Sequence, residues 1–172
     1  MKDMKMLVWL LPILFILHDM EEIIFVQSWK EREKGFHKYC LKRIIPFGTT
    51  TTTSDCAIGV YEELLMLTIV SLGCLIFNRY GLWFGIMVAN LIHLIVMHIV
   101  GTILMYRRYV PGLITAFLTV GPCIYVLVLA ERLLGYRIEE IVIYVLLGSA
   151  IAFINLKVLH MYAYRFSKWI KE

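Results

Sequence analysis

The sequence predicts an all-α fold: a polytopic membrane helix bundle with five transmembrane helices and one short amphipathic segment on the cytoplasmic surface. Three observations predict it. Apolar residues make up 60% of the chain and the mean hydropathy is +0.78, whereas soluble domains average roughly 45–50% apolar residues. Apolar runs at about 6–26, 57–78, 81–106, 110–130 and 138–160 each reach the ~20 residues a helix needs to cross a ~30 Å hydrocarbon core. Charged and turn-forming residues separate the runs closely enough that residues 1–172 read as a single membrane-embedded domain.

The first run follows Lys2 and Lys5 and could pass for a secretory signal peptide. His18-Asp19-Met20-Glu21-Glu22 stands where a small-residue cleavage site would be, so the run reads as an uncleaved membrane helix. Over residues 27–45, charges alternate with Trp29, Phe36, Tyr39, Leu41 and Ile44, the pattern of an amphipathic helix in the interface. Pro46, Gly48 and the threonines at 49–53 end it. The second helix starts near Asp55, with Thr53 and Ser54 as further capping candidates. Asn78-Arg79-Tyr80-Gly81 is a tight turn that makes the second and third helices antiparallel neighbours. The third helix ends at Arg107-Arg108-Tyr109, residue types that anchor at interfaces. Pro111 fits the first turn of the fourth helix, and Pro122 after Gly121 predicts a kink within it. The fifth helix begins after Gly135 and runs into a basic tail. Gly81 and Gly85 form a small-xxx-small pair suited to close helix packing.

Charge sets the expected orientation. Of the 17 Lys and Arg residues, twelve follow the first run, follow the third run or lie in the C-terminal tail, and five lie on the opposite face. The positive-inside rule then puts the N-terminus outside and the C-terminus in the cytoplasm. A basic face of this kind suits anionic lipid headgroups and gives no reason to invoke nucleic acid. The four cysteines, Cys40, Cys56, Cys74 and Cys123, have no paired spacing, which argues against both a disulfide framework and a thiolate zinc site.

Ionisable residues inside a span are expensive, up to ~2.5–3.5 kcal/mol each, and point to a function. His18, Glu21 and Glu22 stand at i, i+3 and i+4 and share one helical face, with Asp19 about 100° away from His18. Glu62 and Glu63 enter from the same side on the second helix, and Asn90, His93 and His98 descend to that level on the third. Thr115 on the fourth and Asn155 on the fifth reach it too. Five helices thus bring polar groups to one depth, which predicts a buried site in the cytoplasmic third. On a regular helix Asn90 has His93 at about −60° and His98 at about +80°, so one histidine stands behind the other. Which one does so is left open by the spacing. Arg107, Arg108 and Tyr109 are expected at the mouth of the site, where paired guanidinium bonds would suit an anionic group.

The segment His18-Asp19-Met20-Glu21-Glu22 resembles the motif of the HXXEE family, small integral membrane proteins of bacteria and archaea. The resemblance extends to the acidic pair Glu62-Glu63, to Asn90 with a downstream histidine, and to Arg108-Tyr109-Val110-Pro111-Gly112 followed by Thr115-Ala116. It implies the topology and the choice of site rather than a reaction, and it implies a bacterial or archaeal cytoplasmic membrane.

Three functional classes fit these residues. The first is an intramembrane enzyme acting on a lipid or other apolar substrate. His18, Glu21, Glu22, Glu62 and His98 would be ligands to a divalent zinc, iron or manganese, and Glu63, Asn90 and His93 would complete the catalytic set. Without metal, a carboxylate held neutral by burial beside a histidine would serve as general acid or base, for example in a double-bond isomerisation or a hydrolysis. In that reading Arg107, Arg108, Tyr109, Thr115 and Asn155 bind the substrate. The second class is a proton or metal-ion transporter or binding protein, against which stands the apolar lining of the outer helix halves. The third is a structural protein whose polar cluster fixes helix packing, an expensive use of buried charge.

Overall fold

A proline twelve residues in decides how the chain begins. Pro12 has no N–H to offer the carbonyl of Val8, and α1 (Lys2–Leu7) breaks from α2 (Leu10–Arg32) there. The freed Val8 carbonyl instead accepts hydrogen bonds from Ser71 Oγ at 2.9 Å and Trp83 Nε1 at 3.0 Å, both buried. One missing amide thereby pins the first helices to the second and third spans. The computed structural model describes residues 2–32 and 52–171, and the expected all-α bundle is what forms.

Helix α3 (Thr53–Phe77) starts two residues before Asp55. Thr52 is its N-cap, closing a capping box with Asp55, so neither Thr53 nor Ser54 holds that position. Asn78, left-handed at φ 53°, ends it and allows the tight turn into α4 (Gly81–His93). The third span is not the regular helix its periodicity predicts. Beyond His93 the chain continues through π-helical segments, Leu94–Val100 and Thr102–Tyr106, with amide bonds reaching five residues back, Gly101 to Val96 and Arg107 to Thr102. Arg107 at φ 51° and Gly112 at φ 93° turn the chain into α5 (Leu113–Leu134), so Pro111 lies in this link and not in the helix's first turn. Pro122 lies inside α5. Helix α6 (Ile138–Lys171) runs well past residue 160. Of the amphipathic segment expected at 27–45, residues 27–32 simply continue α2; the rest lies outside the described residues.

Four helices are long and apolar enough to cross a bilayer, namely Thr53–Phe77, Gly81–Leu104, Leu113–Leu134 and Ile138–Leu159, and the chain is an integral membrane protein. Helix α2 has the length, 23 residues, but Asp19, Glu21 and Glu22 interrupt its apolar run. It packs on α3 and α5, while α4 packs chiefly on α6. The α4–α6 seam is close enough that a Cβ on Gly85 would strike the Tyr144 carbonyl and one on Gly148 would strike Gly85 itself. Only 6% of the apolar window of α6 is buried, against 22–28% in the other three, so α6 lies on the outside of the bundle.

Candidate functional site

Helix α2 continues for a further ten residues beyond Glu22, so its ionisable groups belong to the body of the helix and not to a final turn reaching headgroups. His18, Asp19 and Glu21 are all buried, His18 to 1% exposure. They face two directions. Toward α5, Thr115 donates its hydroxyl to Glu21 Oε2 at 2.6 Å and its amide to the same oxygen at 2.7 Å. Tyr109 donates its hydroxyl to Glu21 Oε1 at 2.7 Å, and its carbonyl accepts from Trp29 Nε1 at 2.7 Å. Both oxygens of Glu21 are therefore engaged.

The same threonine decides the state of His18. Its Oγ1 lies 3.1 Å from His18 Nδ1, and a hydroxyl has one proton, which the much shorter contact assigns to Glu21. His18 Nδ1 then donates to Thr115, which leaves the lone pair of Nε2 on the opposite side of the ring. That Nε2 is buried and has no hydrogen-bond partner; Asp19 Oδ1, at 3.7 Å, is beyond hydrogen-bond reach. A fixed tautomer with an unused, buried lone pair is the arrangement found in histidines that await a metal or an acid.

His98 and Glu22 complete this side. Glu22 Oε1 lies 3.4 Å from His98 Nε2, and the rings of His18 and His98 meet edge to face at 4.3 Å. One donor atom from each of His18, Glu22 and His98 falls within 4.8 Å of the others. His93 stands behind His98, with the two Nε2 atoms 3.0 Å apart. The π-helical register explains how two histidines five residues apart meet, because bonding from i to i+5 widens the turn and swings the fifth neighbour back toward the same face. Gly112 closes the cluster from the link: a Cβ there would lie 2.6 Å from His98 Nδ1 and 2.9 Å from Glu22 Oε1.

Glu22, His93 and His98 border a cavity of about 940 Å³ between α2, α3, the third span and α6. Asp19, Glu22, Glu63, Asn90, His93 and His98 line one part of it, and Met66, Leu67, Val96, Met97, Phe153 and Leu156 line another. Not every expected residue comes here. Of the acidic pair on α3, Glu63 lines the cavity, whereas Glu62 is exposed and accepts a hydrogen bond from Asn155 Nδ2 at 3.0 Å. Asn90 also donates to Cys123 Sγ at 4.0 Å on α5. Arg107 and Arg108 sit exposed in the link and do not line the cavity; Tyr109 and Thr115 grip Glu21 instead.

Asp19 was not among the expected site residues, yet it was within reach of the helical wheel. Measured from His18, Glu22 lies at about +40°, Asp19 at +100° and Glu21 at −60°. Glu22 and Asp19 thus flank the direction of the cavity, and His18 and Glu21 flank that of α5. A wheel centred on Glu22 rather than on His18 finds Asp19.

A family model described as a protein of unknown function with HXXEE motif matches residues 9–127. The chain belongs to the HXXEE family. The match runs from α2 to Leu127 in α5 and includes every residue of the cluster, leaving α6 outside. In this HXXEE protein the motif residues have separate tasks: Glu22 lines the cavity, His18 stands buried behind it with a donor atom in the same cluster, and Glu21 is the buried anchor to α5. No curated protein and no solved structure matches the chain.

Burial, followed by the hydroxyl's bond to Glu21, raises the Tyr109 phenol above its ordinary range, so the link keeps a neutral donor on that carboxylate.

Proposed function

We propose that this protein is an intramembrane enzyme acting on a lipid-like or other apolar substrate with the help of a divalent metal held by His18, Glu22 and His98. The observation that carries the reading is the buried Nε2 of His18, with its tautomer set by Thr115 and its lone pair unused. Neutral imidazoles and a carboxylate suit zinc, iron or manganese, and a cation would offset part of the charge of Asp19, Glu22 and Glu63. The Glu22–His98 edge of 3.4 Å supports this, since donors ~2.0–2.2 Å from a metal stand roughly 3–3.5 Å from one another, and binding would require His98 Nε2 to give up its hydrogen bond to His93 Nε2. A metal at this point would polarise a substrate oxygen or activate a water, with Glu63 or Asp19 in the cavity to take or return a proton. The polar cluster beside an apolar cavity favours an apolar substrate over an ion in transit, because Met66, Leu67, Val96, Met97, Phe153 and Leu156 line the cavity beyond the cluster.

The distribution of basic residues supports an N-terminus outside and a C-terminus in the cytoplasm of a bacterial or archaeal membrane, with the site in the cytoplasmic half. Elemental analysis of the purified protein tests the metal directly. Stoichiometric zinc, iron or manganese in the wild type, absent from His18→Ala and reduced in Glu22→Gln, is the expected result. Incubation with extracted membrane lipids, followed by mass spectrometry, should then show a mass change that depends on the wild-type cluster. A protein that folds, contains no metal and alters no lipid would sink the proposal.

A further inference from the structure

Two features of the cavity bear on what enters it. Its lining presents four carboxylates, Asp19, Glu22, Asp55 and Glu63, and none of its described lining residues is Lys or Arg. Its apolar part reaches the outer surface of the bundle. Val96 and Met97 on the π-helical segment are 50% and 60% exposed, and Phe153 on α6 is 68% exposed, yet all three line the cavity. The third span and α6 touch backbone to backbone at Gly85 and Gly148, and the cavity occupies the space between the residues that follow on each. The opening therefore faces the hydrocarbon of the bilayer rather than water.

We infer that the cavity admits, sideways from the bilayer, a single-chain amphiphile with an uncharged polar group, the group meeting the His18–Glu22–His98 cluster and the chain lying between the π-helical segment and α6. The inference rests on the enzyme reading of the same site and narrows its substrate. These carboxylates in a low-dielectric surrounding repel a phosphate or carboxylate headgroup, and a divalent ion at the cluster would not reverse that sum. An ester, amide or hydroxyl group carries no such penalty and can still accept or donate hydrogen bonds there, whereas an ammonium group, though attracted by the carboxylates, would have to shed its water to pass the hydrocarbon opening. A chain between Val96, Met97, Phe153 and Leu156 gains apolar contact without having to cross water. A cavity of about 940 Å³ lies within the ~300–1,000 Å³ of small-molecule sites.

The test uses the full chain in nonionic detergent with three probes of one chain length: a monoacylglycerol, an alkyl phosphate and an alkylamine. Bound probe is measured by native mass spectrometry, with metal content measured on the same samples. The monoacylglycerol should bind at least tenfold more tightly than either charged probe, and Glu63→Gln should narrow its lead over the alkyl phosphate. Ala152→Trp, which fills the cavity from α6, should abolish binding with metal content unchanged; Val96→Trp, at the exposed opening, should do the same and is less demanding on folding. Equal or tighter binding of the alkyl phosphate or the alkylamine overturns the inference, as does undiminished binding in both tryptophan variants. Monoacylglycerol binding with these sensitivities in a protein without metal would uphold the inference and reject the metal reading.

Discussion

Thr115 Oγ1 stands 3.1 Å from His18 Nδ1 across the interface of α2 and α5, joining residues 97 positions apart in the chain. The threonine holds the imidazole in one tautomer and links it to Glu21, touching Nδ1 and leaving Nε2 unobstructed. Thr115→Val keeps the shape and removes the hydroxyl, so His18 loses both its orientation and its tautomer. Affinity for the proposed metal should fall by about 10–100-fold, the usual effect of losing such a supporting group, and Thr115→Ser should restore it. Competition with a chelator of known affinity measures both. An unchanged affinity in the valine variant would show that Nε2 is presented by packing alone.

Gly112 permits the close approach of the link to His98 and Glu22. At φ 93° a side chain is strained, and its Cβ would fall 2.6 Å from His98 Nδ1. Gly112→Ala should lower the midpoint of thermal unfolding, by an amount equivalent to about 1–3 kcal/mol, and displace the imidazole. Gly135, also left-handed, has open space where its Cβ would be and serves as the control: Gly135→Ala carries the backbone strain alone. Loss of bound metal in the Gly112 variant only is the expected pattern.

Much of the fold was legible because lipid enforces it. Five apolar runs separated by turns can hardly form anything but helices when every backbone group must be satisfied internally. The site was legible for the same reason, as charge in a span has to be turned inward. What escaped was local backbone geometry. Pro12 did carry a signal for the break at Val8, since a proline withholds its amide from the fourth residue before it. The π-helical register carried no signal in the periodicity, and His93 and His98 looked divergent only because a 3.6-residue repeat was assumed. Glu62 and Glu63 reach the same depth, and sequence could not choose between adjacent residues until the position of α6 and Asn155 was known.

The Tyr109–Glu21 bond predicts an alkaline weakness. Folding raises the Tyr109 pKa above its ordinary value of 10.0, so the folded protein keeps a proton that the unfolded chain releases. The contribution is fully present below pH 10 and is lost as pH rises beyond it. Thermal midpoints of the wild type should therefore drop from about pH 10 upward. Tyr109→Phe should show a shallower drop, together with a lower midpoint at neutral pH because Glu21 Oε1 is left without its donor. Parallel curves for the two proteins would refute the assignment.

The proposed orientation puts the Arg107–Gly112 link in the cytoplasm and the turn between α5 and α6 outside. Single cysteines introduced at Arg108 and Arg137, in a background with the native cysteines replaced, should label from opposite sides of sealed vesicles with a membrane-impermeant maleimide. Labelling of both from one side would reject this arrangement of the spans, and labelling with the sides reversed would put the cavity in the outer half.

The carbonyl of Val8 offers a test of how the first helices are held. It accepts from both Ser71 Oγ and Trp83 Nε1, and Pro12 denies it the helical partner it would otherwise have. Removing one donor leaves the other in place. Ser71→Ala alone should therefore cost only about 0.5–1.5 kcal/mol, the net worth of one hydrogen bond. Trp83→Phe costs more, because the indole is fully buried and its volume is lost as well. The informative quantity is the coupling. With both donors gone the carbonyl is buried and unsatisfied, and the double variant should be less stable than the sum of the singles by about 1–3 kcal/mol. The cavity left by the indole is common to both arms of the cycle and cancels. Additive effects would mean that water or another amide reaches Val8, and that the break between α1 and α2 is held by apolar packing instead.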